Sequence, residues 1–449
     1  MFMNQNKLRR HVTYLFVALC SMMAHRTKAQ SNALDSTRQF IKDNWKNVVH
    51  VHTQDSGTLI GLPLPYSVPG SGKNFQEMYY WDTYFTNVGL IKDGLVEQAR
   101  NNIENMLSLI NRYGFMPNGN RTFYLIRSQP PYLSMMIRDV YEVSKDKEWL
   151  AKVLPVLEKE YKFWMKERMT TVGLNRYNGM ADDNRKRSMF TSADRRLGIS
   201  KRLPNLTDAE KLTYGAHFIA ECESGWDFTP RFDSKCSDYL PVDLNCNLYM
   251  YENNFSFFYK ELKKKASNQW EHIAADRKTL IHKYLINKKD NLFYDYNYVN
   301  GQLSTVLSAA VFNVLWSGVG NADDAKAIVE QLPRLEAAHG IAACEQGPRT
   351  ASYQWDYPNG WANLQYVAVN GLDKYGYSND AIRIARKYVQ MVANNFSKTH
   401  NLWEKYNVSD GSLNATNEYG LPALMGWTAG VYSYCYEYLV DGTKTPIKK

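Results

Sequence analysis

Cysteine is scarce in this chain and carries no pattern. Six cysteines stand among 449 residues, with no CxxC pair, which removes the usual framework of a structural zinc site. The nine histidines are dispersed and no HExxH is present, so a histidine-based metal site has no support. GxSxG and the dinucleotide-binding GxGxxG are also missing. Gly70-Ser71-Gly72-Lys73 looks like a phosphate loop, but Ser67 stands where its first Gly belongs and Asn74 where Ser or Thr must follow the Lys. Charge of one sign is never concentrated. The longest basic cluster, Lys263-Lys264-Lys265, ends a helical pattern, where cations suit the helix dipole. Nucleic acid is therefore not an expected partner. Beyond the N-terminus no apolar run could cross a membrane. Alternating strand patterns are scarce, no fixed-period repeat is visible, and no Ser/Gly linker divides the chain. What remains for chemistry is carboxylates, hydroxyls, amides and arginines, with no cofactor and no metal expected.

What is present is ordinary globular composition, 44% hydrophobic and 22% charged. Lys and Arg outnumber Asp and Glu by 54 to 45, giving +9, a balance to which a neutral substrate is indifferent. Aromatics reach 14%. Flat apolar faces with polar edges suit sugar rings, and they equally suit a large Tyr-rich core. The first residues have the form of an export signal. Lys7, Arg9 and Arg10 precede a short apolar stretch, 11–24, and Thr27-Lys28-Ala29 offers small residues at −3 and −1. Cleavage is expected after Ala29, leaving one catalytic domain over 30–449 in the periplasm or outside the cell. The rival reading is a lipoprotein acylated at Cys20, after Val17-Ala18-Leu19. The mature chain keeps Cys222, Cys236, Cys246, Cys344 and Cys435, and Cys236 with Cys246 is the nearest candidate disulfide.

Apolar residues recur at three and four positions through most of the chain. The pattern predicts helices over 36–49, 81–93, 95–113, 132–145, 148–168, 208–221, 244–266, 269–286, 304–316, 322–332, 357–375, 380–395 and 421–440. Successive helical pairs predict an all-α fold of two concentric rings, with an irregular bundle or solenoid as the alternative. Long loops of unusual composition lie at 63–75, 117–127, 173–206, 225–243 and 340–358, and long loops in a compact domain are often functional.

Acids beside aromatics are frequent in these loops: Glu77, Asp82, Glu223, Asp227, Glu345, Asp356, Glu404 and Glu418. Glycoside hydrolysis needs two carboxyl groups, one protonated to serve the leaving oxygen and one ionised as base or nucleophile. Such separation comes from unlike surroundings. Each of these acids could equally be a solvated charge or a helix cap, and physical reasoning on the sequence does not choose the pair.

Six segments in order supply a choice. They are Pro69-Gly70 with Glu77-Met78-Tyr79-Tyr80-Trp81-Asp82; Pro117-Asn118-Gly119 with Arg127-Ser128-Gln129; Ser224-Gly225-Trp226-Asp227-Phe228; Gln354-Trp355-Asp356-Tyr357-Pro358-Asn359-Gly360-Trp361; Glu404-Lys405-Tyr406; and Glu418-Tyr419 before Gly426-Trp427-Thr428. Together they resemble the trehalase family of glycoside hydrolases over residues 69–428. The resemblance implies an all-α (α/α)6 toroid that hydrolyses the neutral disaccharide α,α-trehalose with inversion. It implies Asp227 as general acid and Glu404 as general base. It further implies sugar contacts from Trp81, Asp82, Asn118, Arg127, Ser128, Gln129 and Glu418, and a backbone contact from Gly225. There are departures. Asn74 stands where the family carries a sugar-binding Arg, and Lys73 matches its charge without the planar fork. Arg185-Lys186-Arg187 lies nearest a family Arg-Pro-Glu run and lacks the Glu. Asn407 follows the Tyr where the family often has Asp, and 411–417 replaces a Gly-rich lid. These changes leave the two acids intact and touch the sugar subsites, so an inverting hydrolase of another α-glucoside, or an inactive sugar-binding relative, are the competing readings.

Overall fold

The computed structural model describes residues 32–72, 75–415, 420–423 and 426–440. The expected export signal, Cys20, Lys73, Asn74 and Glu418 lie outside the described residues. The helices are α1 (32–44), α2 (Tyr80–Lys92), α3 (Val96–Tyr113), α4 (Leu133–Ser144), α5 (Lys147–Glu167), α6 (Asp183–Leu197), α7 (Ile199–Arg202), α8 (Asp208–Glu223), α9 (Val242–Glu261), α10 (Ser267–Tyr284), α11 (Phe312–Ser317), α12 (Ala322–Glu330), α13 (Ala362–Lys374), α14 (Ser378–Thr399) and α15 (Gly426–Val440).

Packing sorts most of them into two rings. α2, α4, α9, α11, α13 and α15 touch one another in that cyclic order, and α15 returns to α2. Outside them, α3 bridges α2 and α4, α5 bridges α4 and α9, α10 backs α9, and α14 backs α13 and α15. α1 is tied to the end of α2 and to α15 by Arg38, which reaches Asp93 and Glu437. α12 is tied to α10 by His282 Nε2 and Asp324 Oδ2 at 3.0 Å. This is the expected (α/α)6 toroid in a single domain.

Burial follows ring position. The outer helix α3 buries one broad face: Ala99, Asn102, Ile103, Asn105, Met106, Leu107, Leu109 and Ile110. The inner α2 buries residues all round, from Tyr80 and Trp81 to Gly89 and Leu90, as a helix inside a core must. The ring closes where its first and last helices meet through glycine. A Cβ on Gly430 would lie 1.8 Å from the Phe85 carbonyl oxygen, and one on Gly89 would lie 2.6 Å from Gly430 Cα.

Several sequence expectations need correction. The helix expected over 357–375 begins only at Ala362, after the strand Asn359–Trp361. The stretch 173–206, expected as loop, contains α6 and α7. The expected helix over 304–316 begins only with a 3-10 turn at Ala309, because Ser308 bridges Cys344 and the Ala309 N–H donates to the Ala343 carbonyl. The five cysteines described are all buried. Cys236 sits in a 3-10 turn and Cys246 inside α9, and they do not bridge. Short antiparallel strands were also unforeseen. One pair, Asn359–Trp361 with Lys405–Asn407, bears on the site.

Candidate active site

One end of the inner ring opens into a cavity of about 420 Å³. Its wall is assembled from the first turn of α2, the 118–129 loop, the turn after α8, the 354–361 segment, the start of α15, and one face of α6. Trp81, Asp82, Asn118, Arg127, Gln129, Gly225, Asp227 and Glu404 all lie on this wall. Residues up to 323 positions apart in the sequence (Trp81 to Glu404) are thus brought together.

Local geometry explains how each is held. Gln129 Oε1 accepts the Trp81 N–H at 3.2 Å, which locks the start of α2 to the loop. Asn118 Oδ1 accepts from Arg127 Nε at 2.9 Å, and the guanidinium lies 5.0 Å from the Tyr124 ring centroid. Fixing the guanidinium this way presents its remaining donors in one orientation. Gly225 has φ +73°, and a Cβ there would lie 2.6 Å from the Trp81 ring; only glycine lets the turn after α8 pass so close to that wall. Behind the turn, Arg231 is fully buried over the Trp226 ring at 4.3 Å and is paired with Asp243 and Asp295. This fixes the segment that carries Asp227.

Tryptophans form the floor. Trp355 and Trp361 stack in parallel with centroids 3.7 Å apart. Trp427 stands edge-on to Trp361 at 5.6 Å, and Trp81 lies 5.6 Å from Trp355. Trp81, Trp355, Trp361 and Trp427 reach the cavity, and all four also pack in the main core.

The carboxylates differ in surroundings. The Trp427 indole N–H donates to the Glu404 carbonyl at 3.1 Å, which pins its backbone. The Lys405 ammonium donates to Glu404 Oε2 at 2.8 Å, so these sequence neighbours do meet. Burial pushes the Asp82 carboxyl up to about 7, and the nearby charge of Glu404 adds to the rise. Gln354 donates through its side-chain amide to the Asp227 carbonyl.

Ser128 lies behind the wall. It is fully buried, its hydroxyl donates to the Met116 carbonyl at 2.6 Å, and its N–H donates to Glu223. It fixes Arg127 and Gln129 from behind and does not line the cavity. The other candidate acids are partnered structurally. Glu223 accepts two bonds from Arg168 and the N–H groups of Ser128 and Asn178. Glu77 pairs with Arg121, Glu345 with Arg334, and Asp356 with Arg349.

Sequence reasoning missed part of the wall. Tyr79 and Tyr124, joined through their hydroxyls at 2.9 Å, line it, as do Phe123, Gln354 and, from α6, Arg185, Ser188, Met189 and Ser192. Among the described residues no group of three or more His, Cys, Asp or Glu is placed to hold a metal ion.

Comparison with known proteins places the chain in a family. The sequence model of the family described as trehalase matches residues 7–439. A periplasmic trehalase of Xanthomonas axonopodis pv. citri is 32% identical over 421 residues, spanning 88% of this chain and 72% of its own length. One from Escherichia coli is 31% identical, with 88% and 73% covered. Among solved structures, the neutral trehalase Nth1 of Saccharomyces cerevisiae superposes with TM-score 0.71 at 30% identity, covering 89% of this chain and 80% of its own. A mannosylglycerate hydrolase from Thermus thermophilus shares the fold at 15% identity and TM-score 0.57. With a family match over nearly the whole chain and relatives above 30% identity over most of both lengths, the chain belongs to the trehalase family.

Proposed function

We propose that the chain is a glycoside hydrolase that splits α,α-trehalose into two glucose molecules with inversion. Asp227 protonates the glycosidic oxygen as its bond to C1 breaks. Glu404 takes a proton from a water that attacks C1 from the opposite face. The observation that carries this reading is the convergence of Asp227 and Glu404 on one cavity whose floor is stacked tryptophan and whose side wall bears Asn118, Arg127 and Gln129. Flat aromatic faces take the C–H faces of sugars, and the amide and guanidinium donors take hydroxyls. Glu418 is a further sugar contact in this reading. Two carboxyls used without a covalent intermediate need room for a water between them. The mature chain is exported and comprises residues 30–449, a reading supported by the N-terminal pattern and by relatives named as periplasmic. Among the described residues no helix is long and apolar enough to cross a membrane.

Inversion fixes the products. The attacked ring leaves as β-glucose and the departing ring as α-glucose. Proton NMR of the purified chain with trehalose, recorded before mutarotation, should show the two anomers in equal amounts. α-Glucose alone would mean double displacement and a wrong role for Glu404. A second reading, an inverting hydrolase of another α-glucoside, is favoured by α6, where Arg185, Ser188 and Ser192 reach the wall without the family's acid. A panel of α-linked disaccharides separates the two.

A further inference from the structure

Beside Arg127 the cavity wall is backed by a run of polar groups: Arg121, Glu77, Tyr79 and Tyr124. Arg121 Nε donates to Glu77 Oε2 at 3.1 Å. The Tyr79 hydroxyl donates to the other oxygen of the same carboxylate, Oε1. The hydroxyls of Tyr79 and Tyr124 lie 2.9 Å apart. Both tyrosines line the cavity, and Glu77 is buried behind them. The Tyr124 ring is held firmly. It packs over Gly119, where a Cβ would lie 3.3 Å from it, and its centroid is 4.5 Å from that of Phe123.

The direction of each bond in this run follows from counting protons. A phenol has one proton to give and lone pairs to accept with. The Tyr79 proton goes to Glu77. The link between the two hydroxyls is therefore made by the Tyr124 proton, donated to the Tyr79 oxygen. Burial pushes the Tyr124 phenol up to about 12 and raises that of Tyr79 as well, so neither proton is lost near neutrality. The Tyr124 oxygen is left with lone pairs alone. Next to this acceptor stands a donor. The Arg127 guanidinium lies 5.0 Å from the centroid of the Tyr124 ring. Its Nε is spent on Asn118 Oδ1 at 2.9 Å, which leaves the two Nη groups to donate.

We propose that Tyr124 is a further substrate-binding residue: its oxygen accepts a hydrogen bond from a sugar hydroxyl whose own oxygen accepts from Arg127. The inference rests on the functional reading above. A sugar hydroxyl gives one proton and takes another, so an acceptor and a donor fixed side by side match it on both counts. Neither partner has to be ordered when the sugar arrives, because Asn118 holds one and Tyr79 the other. Glu77 and Arg121 reach the substrate only through this chain. Their part is to set which way the Tyr124 proton points.

Tyr124→Phe removes the oxygen and keeps the ring under Arg127. KM for trehalose should rise about fivefold, the worth of one neutral hydrogen bond, with kcat within about threefold. Deoxyfluoro analogues of trehalose, tested one position at a time as competitive inhibitors, identify the hydroxyl. Fluorine can accept from Arg127 but has no proton for Tyr124. In the wild-type protein one position should therefore bind about fivefold worse than trehalose, and in Tyr124→Phe that penalty should shrink by about the same factor while the other positions keep theirs. An unchanged KM in Tyr124→Phe overturns the proposal. So does a loss shared equally by every analogue, which is what a merely structural tyrosine would give. A wild-type series in which no position is penalised overturns it without any variant. Wild-type protein that leaves trehalose intact would strike the functional reading instead, and calorimetric binding of the same sugars to wild type and Tyr124→Phe would still decide the role of Tyr124.

Discussion

The two acids stand on unlike supports. Glu404 is flanked by Tyr406, Trp361 and Trp427, all members of the main core that fills the toroid. Asp227 sits at a seam. On one side Trp226 belongs to the main core; on the other Phe228 belongs to a separate small core with Phe190, Ala193, Leu197, Ile199, Phe218 and Tyr353. That second core is the interior of the α6–α8 hairpin, a unit inserted between α5 and α9 and packed against itself. The proposed base is thus mounted on the main core. The acid shares its mounting with the element that walls the cavity mouth. Small satellite cores open more readily than main ones, so substrate entry and placement of Asp227 are mechanically joined.

The largest effects test the roles themselves. Asp227→Asn and Glu404→Gln should each lower turnover of trehalose by about 10²–10⁴-fold with melting temperature preserved. α-Glucosyl fluoride splits the pair, because fluoride departs without a proton: Asp227→Asn should regain most of its rate on it, whereas Glu404→Gln should not. Equal recovery of both variants would show that the two supports do not carry two roles.

The next effect is on stability, at the root of the hairpin. Burial pushes the Glu221 carboxyl in α8 up to about 8. Its Oε1 accepts the Thr229 N–H at 2.9 Å. In the unfolded chain the same carboxyl ionises near its ordinary value of 4.5. The folded state therefore binds the extra proton, so its stability is full below 4.5 and declines as pH rises toward 8. The slope contributed is at most roughly 1.4 kcal/mol per unit. Glu221→Gln should flatten this decline, raising the melting temperature at pH 8 more than at pH 4.5. An equal shift at both pH values would refute the protonated folded state.

Smaller still is the contribution of the mouth. Arg185→Ala should raise KM for trehalose about tenfold, the worth of one charged hydrogen bond, with kcat within about threefold. A loss confined to kcat would place Arg185 in the reaction itself. The least visible change concerns Phe190→Ala in the small core. Amide exchange in α6 and α8 should speed up while the inner ring stays protected and the global melting temperature moves little. Uniform loss of protection would mean that the hairpin and ring form one cooperative unit.

Much of this architecture was legible in the sequence because core-facing helices repeat apolar residues at three and four positions. α3 and α14 show that period plainly through Ile103, Met106 and Ile110 and through Ile384, Tyr388 and Met391. α6 was illegible for the opposite reason. Its small core asks only for Phe190, Ala193 and Leu197, too few to stand out among so many Arg, Lys and Asp. Its ends were signalled: Asp182 caps the Arg185 N–H, and Gly198 closes the helix with φ +61°. The catalytic pair was not derivable from composition or period, since eight loop acids looked alike; only order and context, through the family resemblance, singled out Asp227 and Glu404. Burial then gave Glu77, Glu223, Glu345 and Asp356 their arginine partners, which no local pattern displays.

Glu223 has one more consequence. Its carboxylate is a single knot through which α5, by Arg168, the 128 loop and the 178 loop are all tied to the end of α8. Arg127 and Gln129 flank one of those ties, and Asp227 lies four residues past the knot. The spacing between proton donor and sugar grip is therefore inherited as one unit. Retuning the distance from Arg127 and Gln129 to Asp227 requires rebuilding four bonds at once.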